Sequence, residues 1–194
     1  MMNEKELPVY AALDRMGIEH TRIEHPAAAT MEACAAIGEG TGASHCKNLF
    51  LTNRQGTAFF LVMLGSSKKF RTASVSKQLG VARLSFTTAE QLENILGLTQ
   101  GSVTVTGLLN DTAHCVHVAI DRDLLNEERI LIHPNINTAS LVVKTSDILR
   151  FLDLLGYEFT PIAVEDADAA VQSGSLCTDK PPNVFCCKKP PCRV

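Results

Sequence analysis

The sequence lacks several features that would identify a class of protein at once. None of its apolar runs approaches the roughly 20 residues that a membrane-spanning helix needs, which excludes an integral membrane protein. Its first six residues carry no apolar stretch behind their charges, so no secretory signal is expected. The net charge of only −3 excludes a strongly basic coat protein for nucleic acid. With 45% hydrophobic and 20% charged residues among 194, the chain has the composition of a soluble globular protein.

The common motifs of enzymes are missing as well. There is no G-x-S-x-G nucleophile elbow, no H-E-x-x-H zinc motif and no P-loop. The glycines at 38, 40 and 42 precede a predicted strand, which is the wrong order for a dinucleotide-binding loop. Four cysteines near the C-terminus follow a C-x8-C-C-x4-C spacing that matches no familiar zinc site. The sequence therefore predicts neither a metal nor an organic cofactor.

The chain has seven cysteines, an odd number that argues against a fully paired disulfide framework. Cys34, Cys46 and Cys115 lie among apolar neighbours and are predicted to be reduced thiols in or near the core. Since such thiols persist in the reducing cytosol, they favour a cytoplasmic location.

Hydrophobic periodicity and turn residues predict short helices interleaved with strands. The predicted helices are 7–16, 30–37, 74–80, 88–96 (opened by a Thr88/Gln91 capping box) and 146–155. The predicted strands are 20–24, 46–51, 57–64, 102–106, 115–121, 129–133 and 140–143, the second and third forming a β-hairpin. This pattern indicates a mixed α/β (α+β) domain over 1–165, with helices layered on a sheet. Residues 166–194, rich in Cys and Pro, are predicted to be a disordered tail.

One basic stretch stands out in the chain. Between residues 68 and 89 there are five cations and no carboxylate, a pattern that fits either a solvated face or a site for phosphates.

Three polar segments interrupt otherwise apolar strands. Lys47 and Asn48 precede a buried-looking run, where the lysine can present an ammonium to an anionic or carbonyl-bearing ligand or reach solvent at a strand edge. The turn 101–105 can offer backbone N–H groups to a ligand or be an ordinary loop. His133, Asn137 and Ser140 close a strand and can bind a ligand or satisfy their own turn.

Together these segments resemble the ProX/YbaK-type aminoacyl-tRNA deacylases, in particular the branch that edits prolyl-tRNA. The matching stretches are GASHCKNLFL (42–51), KQLGV (77–81), QGSVT (100–104), HPNINTAS (133–140) and SDILRFL (146–152). The resemblance runs from about residue 5 to 165. It implies the YbaK-type editing fold, a single domain whose central, mostly antiparallel mixed sheet is surrounded by short helices.

The resemblance also implies an activity, hydrolysis of the ester that joins a wrong amino acid, alanine first and cysteine next, to the 3′ end of proline tRNA. It implies no cofactor, no metal, no DNA and no membrane, and it makes prolyl-tRNA synthetase a candidate partner besides the tRNA. The catalytic residues implied are Lys47, Asn48 and His133; the substrate-binding residues are Gly101, Ser102, Val103, Thr104, Val105, Asn137 and Ser140; the tRNA-binding residues are Lys68, Lys69, Arg71 and Lys77.

The chain departs from the family pattern at one position. Val105 stands where the family's G-x-x-x-P loop ends in proline, which affects the loop's rigidity and the size of amino acid admitted. Two other functions stay open at this point. Val105 and the tail favour a non-catalytic module that binds tRNA or a synthetase, and Cys46 would be the nucleophile of a thiol enzyme. The oligomeric state is open too.

Overall fold

The computed structural model describes residues 3–27, 37 and 40–166. The helices are α1 (Leu7–Arg15), α2 (Thr72–Gln78), α3 (Ala89–Leu96), α4 (Arg122–Leu125), α5 (Thr145–Leu154) and a 3₁₀ helix (Val105–Asn110). The strands are β1 (Thr21–Glu24), β2 (Ser44–Asn53), β3 (Phe59–Gly65), β4 (Leu84–Phe86), β5 (Val116–Asp121), β6 (Arg129–Ile132), β7 (Ala139–Lys144) and β8 (Phe159–Ile162). None of the helices in these described ranges has the length and apolarity of a membrane span.

The eight strands form one mixed sheet in the order β1-β7-β6-β2-β3-β5-β8, and β4 pairs with β2 outside this path. The pairings β1–β7, β7–β6, β2–β3 and β2–β4 are antiparallel, whereas β6–β2, β3–β5 and β5–β8 are parallel. This confirms the predicted mixed α/β architecture.

Each face of the sheet carries its own hydrophobic core, because side chains of β3 alternate between them. Phe59, Leu61 and Met63 enter the core of the first face, which is covered by α1, α3, α5 and the 3₁₀ helix. Phe60, Val62 and Leu64 enter the core of the second face, which α2 covers through Val75.

Strand β2 is paired unevenly on its two edges. One edge pairs with β3 from Cys46 to Thr52. The opposite edge pairs with β6 only at Ser44 and His45, and with β4 only at residues 51–53. No described strand pairs with residues 46–50 on this edge, and Lys47 and Asn48 lie in the opening.

Most predicted elements with a local signal are confirmed. Thr88 and Gln91 form both bonds of the capping box at α3, and Gly97 ends that helix in the left-handed conformation at φ +64°. The hairpin of β2 and β3 is confirmed as well.

The strand predicted at 102–106 is wrong. Residues 105–110 form the 3₁₀ helix instead, because Thr104 and Thr106 direct their hydroxyls to the carbonyl of His133 and hold the segment against the end of β6.

Some predictions concern parts of the chain that are not described. The helix at 30–37 lies outside the described residues except for Ile37, and so does Cys34. The tail at 166–194 lies outside them except for Asp166, which forms a β-bridge with Lys68.

Candidate active site

Lys47 projects from the opening in β2 and is half-buried. Its Nζ donates a hydrogen bond to the backbone carbonyl of Lys68 at 3.2 Å. Strands β2 and β6 are parallel, and His45 lies opposite Leu131. Side chains two residues apart on a strand share a face, so Lys47, two residues after His45, and His133, two residues after Leu131, lie on the same face of the sheet. The ammonium is therefore tethered at the strand opening, on the face where His133 follows β6.

Lys68 itself is held by three carboxylates. Its side chain is only 7% exposed, and its ammonium contacts Asp123 directly, Asp166 at 3.3 Å and Asp121 at 4.0 Å. The hydrogen bond that Lys68 donates to Asp123 is the main cause that raises the pKa of Lys68, whereas burial raises the pKa of Asp121. Its ammonium is thus engaged inside the protein and is not exposed to an RNA phosphate.

Asn48 lies on the opposite face of β2 from Lys47, because successive side chains of a strand alternate. Its Nδ2 contacts Cys46 Sγ at 3.6 Å. Its Oδ1 is buried and has no hydrogen-bond partner among the described residues. A buried amide oxygen without a partner is rare in native proteins and marks a place where an N–H group of a ligand can bind.

Cys46 does not have the surroundings of a nucleophile. Its Sγ donates to the carbonyl of Leu131 at 3.1 Å. Burial raises the pKa of the thiol to about 12, so the reactive thiolate is scarce near neutral pH. The bond to Leu131 and the burial of the thiol both argue against Cys46 as the nucleophile of a thiol enzyme.

The loop 101–105 is anchored mainly by its own side chains. Ser102 is buried and bonds Thr99 through both its hydroxyl and its N–H, so that amide is not available to a ligand. Val103 and Val105 pack against the first core. Gly101 is exposed at φ +84°, a conformation that favours glycine, and Asn137 lies beside it.

Thr104 joins this loop to His133 by two hydrogen bonds. Its hydroxyl donates to the carbonyl of His133 at 2.9 Å and accepts from the N–H of His133 at 3.3 Å. The structure therefore brings together the loop 101–105, Asn137 and His133.

The ring of His133 is fixed in one neutral tautomer. Its Nδ1 bonds the carbonyl of Ala139 at 3.1 Å, and since a carbonyl only accepts, Nδ1 carries the proton and Nε2 is the acceptor. Burial lowers the pKa of His133, and the nearby His25 and His45 lower it further by electrostatic repulsion. The neutral form is thus favoured, which suits a group that accepts a proton.

His25 is a site residue that the sequence analysis missed. Its Nδ1 bonds the carbonyl of Pro26 at 2.9 Å, so its Nε2 accepts from the hydroxyl of Ser140 at 2.9 Å. Its ring centroid lies 6.3 Å from that of His133. A signal was present, because His25 and His133 both follow a strand and precede a proline.

The remaining predicted tRNA contacts, Lys69, Arg71 and Lys77, are exposed beside or on α2. Within the described part of the chain, no group of three or more His, Cys, Asp or Glu residues could hold a metal ion. On one face of the sheet the site thus combines an ammonium and a neutral imidazole, groups that can bind an ester and assist the attack of water on it. The buried amide oxygen of Asn48 lies on the other face.

Sequence comparisons relate the chain to known proteins. The family model of the aminoacyl-tRNA editing domain matches residues 25–151. The prolyl-tRNA editing protein ProX of Acetoanaerobium sticklandii is 32% identical over 154 residues, which cover 79% of this chain and 94% of the relative. The prolyl-tRNA synthetase associated domain-containing protein 1 of Danio rerio is 32% identical over 151 residues, covering 77% and 80%.

A solved structure supports the fold independently. A crystal structure of a candidate trans-editing enzyme for prolyl tRNA synthetase superimposes with a TM-score of 0.64 at 20% identity, covering 84% of this chain and 99% of the other. At this identity the likeness shows the fold alone.

Proposed function

Since the chain belongs to the aminoacyl-tRNA editing domain family, we propose that it hydrolyses the ester bond of proline tRNA charged with a wrong amino acid. The related protein of Acetoanaerobium sticklandii is named for prolyl-tRNA editing, which supports the choice of tRNA. We propose that the protein acts in trans, on tRNA already released by its synthetase, in the cytoplasm. On this proposal the protein is a carboxylic ester hydrolase.

The observation that carries the proposal is the tethered ammonium of Lys47 in the opening of β2. An aminoacyl ester is already activated, so positioning and stabilisation of the developing oxyanion can supply much of the rate. We assign that stabilisation to Lys47. The attacking water bonds to the ester carbon and, assisted by the substrate's ribose 2′-OH, gives its proton to His133, whose Nε2 is the acceptor of the neutral ring. The bond from the ester carbon to the ribose 3′-oxygen then breaks, and that oxygen takes the proton and leaves as a hydroxyl.

We assign Asn48 a contribution from the other face, at the edge of β2 where no described strand pairs with residues 46–50. Its unpartnered Oδ1 suits the α-amino group of the substrate. Gly101 and Asn137 form the rim, and Ser140 acts through His25 to hold β1 and β7 in place.

Alanine is our first choice of amino acid and cysteine the second. A methylene in an apolar pocket is worth about 1–3 kcal/mol, so a pocket that accepts alanine must reject proline by steric exclusion. Val105 replaces the family's loop proline, and this position bears on the size that the pocket admits.

The test is single-turnover deacylation of proline tRNA charged with alanine, cysteine or proline. We expect hydrolysis of the alanyl ester, and a loss of about 100-fold or more in Lys47→Ala, the usual cost of one oxyanion donor. Lys144→Ala, an exposed lysine on β7, is the matched control and should keep full activity.

Full activity in Lys47→Ala would remove that residue from the mechanism. A wild-type protein that binds tRNA but hydrolyses none of the three esters would instead favour the non-catalytic binding module.

A further inference from the structure

We propose that Phe86, together with Phe70, forms a stacking site for an unpaired nucleobase at the 3′ end of the RNA; this inference rests on the proposed function. Phe86 lies at the end of β4 and is 62% exposed, although it is one of the largest apolar side chains. Its ring centroid is 6.2 Å from that of Phe70, with the two planes at 63°. The partly buried Phe70 packs against the second core and supports Phe86 from below.

This aromatic pair lies on the same face of the sheet as Lys47. Phe86 is opposite Leu51 in the pairing of β4 with β2, and Leu51 belongs to the core of the second face. Lys47 is four residues before Leu51 on the same strand, so it shares that face and lies about 13 Å along β2. A strand of RNA whose ester end reaches Lys47 can therefore follow this face to Phe86.

The charges around the aromatic pair favour a nucleic acid. Lys69 and Arg71 flank Phe70 in the chain, and both are exposed. A depression of about 390 Å³ between α2 and the residues before β4 is lined by Lys77 and Arg83. Among described residues, Glu165 is the carboxylate that pairs with Arg71, at 3.9 Å and on the surface.

An aromatic side chain beside a cationic track is the combination that binds single-stranded nucleic acid, since bases stack on the ring while phosphates meet the cations. A single exposed apolar residue would need no explanation. A surface for a protein partner is typically depleted of lysine, whereas this one contains two lysines and two arginines. The surface therefore fits RNA better than protein.

The experiment measures the affinity of uncharged proline tRNA and of the same RNA shortened by its unpaired 3′ nucleotides. We expect Phe86→Ala to weaken binding of the intact tRNA by about 5- to 150-fold, the usual loss for one base–aromatic stack. The shortened RNA should bind the variant and the wild type equally. Phe86→Trp should retain tight binding, while Phe86→Leu, which is apolar but has no aromatic face, should not.

Leu154→Ala is the matched control, because Leu154 is 55% exposed on α5. Equal weakening of both RNAs by Phe86→Ala, or no weakening of either, would overturn the proposal. Wild-type affinity for the intact tRNA in Phe86→Leu would do so too, since it would show that the contact needs an apolar side chain and not an aromatic face. None of these affinity measurements depends on hydrolysis. The proposal of a stacking site can therefore be refuted without refuting the proposed deacylation, and the proposed deacylation can be refuted without refuting the stacking site.

Discussion

Lys68 shows at the scale of one residue why a basic side chain in the sequence is not always a binding residue. The sequence places it in a run of cations, but its ammonium is buried against Asp121, Asp123 and Asp166. Its backbone carbonyl accepts the hydrogen bond from Lys47. Burial and pairing at this position depend on β5 and α4, more than 50 residues away, and no local pattern reports them.

We expect Lys68→Met to lower the free energy of unfolding by about 3–5 kcal/mol, the cost of leaving a buried charge without its partner. The uncompensated group is the carboxylate of Asp121, which is 1% exposed. Lys69→Met is the control and should change stability by less than about 0.5 kcal/mol, because Lys69 is exposed. Urea denaturation measures both.

The double variant Lys68→Met/Asp121→Asn should recover part of the lost stability, since it removes the buried charge as well. If the double variant lost more free energy of unfolding than the two single variants lose together, the ion pair would not be the cause of the loss.

His133 gives a second prediction at this scale. Burial lowers its pKa in the folded state, while a histidine in the unfolded chain has a pKa of about 6.5. Below that pH the unfolded chain takes up a proton that the folded chain does not, so stability should fall as the pH drops from 7 to 5. His133→Gln should reduce this slope in denaturation experiments at several pH values. A variant slope equal to that of the wild type would rule out His133 as the source.

At the scale of elements, the sequence predicts the helices and strands that carry a local signal. It does not predict the elements whose conformation depends on distant contacts. The capping box at Thr88 and the glycine at 97 are sufficient to define α3. The segment 102–106 has the β-branched composition of a strand, but its hydroxyls bond to His133 and it turns into the 3₁₀ helix. β4 has three residues, too few for a periodic pattern.

Val105 is the first residue of the 3₁₀ helix, and this position suits a proline. Thr104 before it is extended at φ −155° and ψ 159°, as a residue preceding proline should be. The first bond of the turn runs from the N–H of Gly107 to the carbonyl of Thr104, so the N–H of Val105 is not needed there. We expect the free energy of unfolding of Val105→Pro to lie within about 1 kcal/mol of that of the wild type, because the stiffer backbone offsets the smaller side chain.

Val105→Ala is the control, since it removes side-chain packing without restricting the backbone, and it should cost about 2 kcal/mol. Thermal or urea denaturation compares the two. A Val105→Pro protein less stable than Val105→Ala would show that the loop needs a backbone conformation that proline cannot adopt.

At the scale of the whole molecule, the candidate site is assembled from segments far apart in the chain. Residues 47, 101 and 133 each carried a signal in the sequence, and the mixed sheet could be anticipated from alternating strands and helices. The bond between His25 and Ser140 spans 115 residues and exists because β1 pairs with β7. Which side of β2 is open likewise depends on where β6 ends and β4 begins. Such relations are properties of the sheet and leave no trace in a local pattern.

The surface charges allow a final prediction about the intact protein. The net charge is −3, so any attraction to RNA must come from a local patch and not from the overall charge. Each cation that neutralises a phosphate releases counterions, and log K falls with log salt by about 0.7–0.9 per contact. Lys69→Ala/Lys77→Ala should therefore flatten the salt dependence of tRNA binding by about that amount per residue removed.

The matched variant Arg129→Ala/Lys144→Ala removes two exposed cations from β6 and β7 and changes the net charge equally. Binding titrations between 50 and 200 mM salt should give this control the wild-type slope, because its cations lie outside the proposed RNA path. Equal flattening in both variants would mean that the overall charge governs binding, and the patch beside α2 would lose its assigned role.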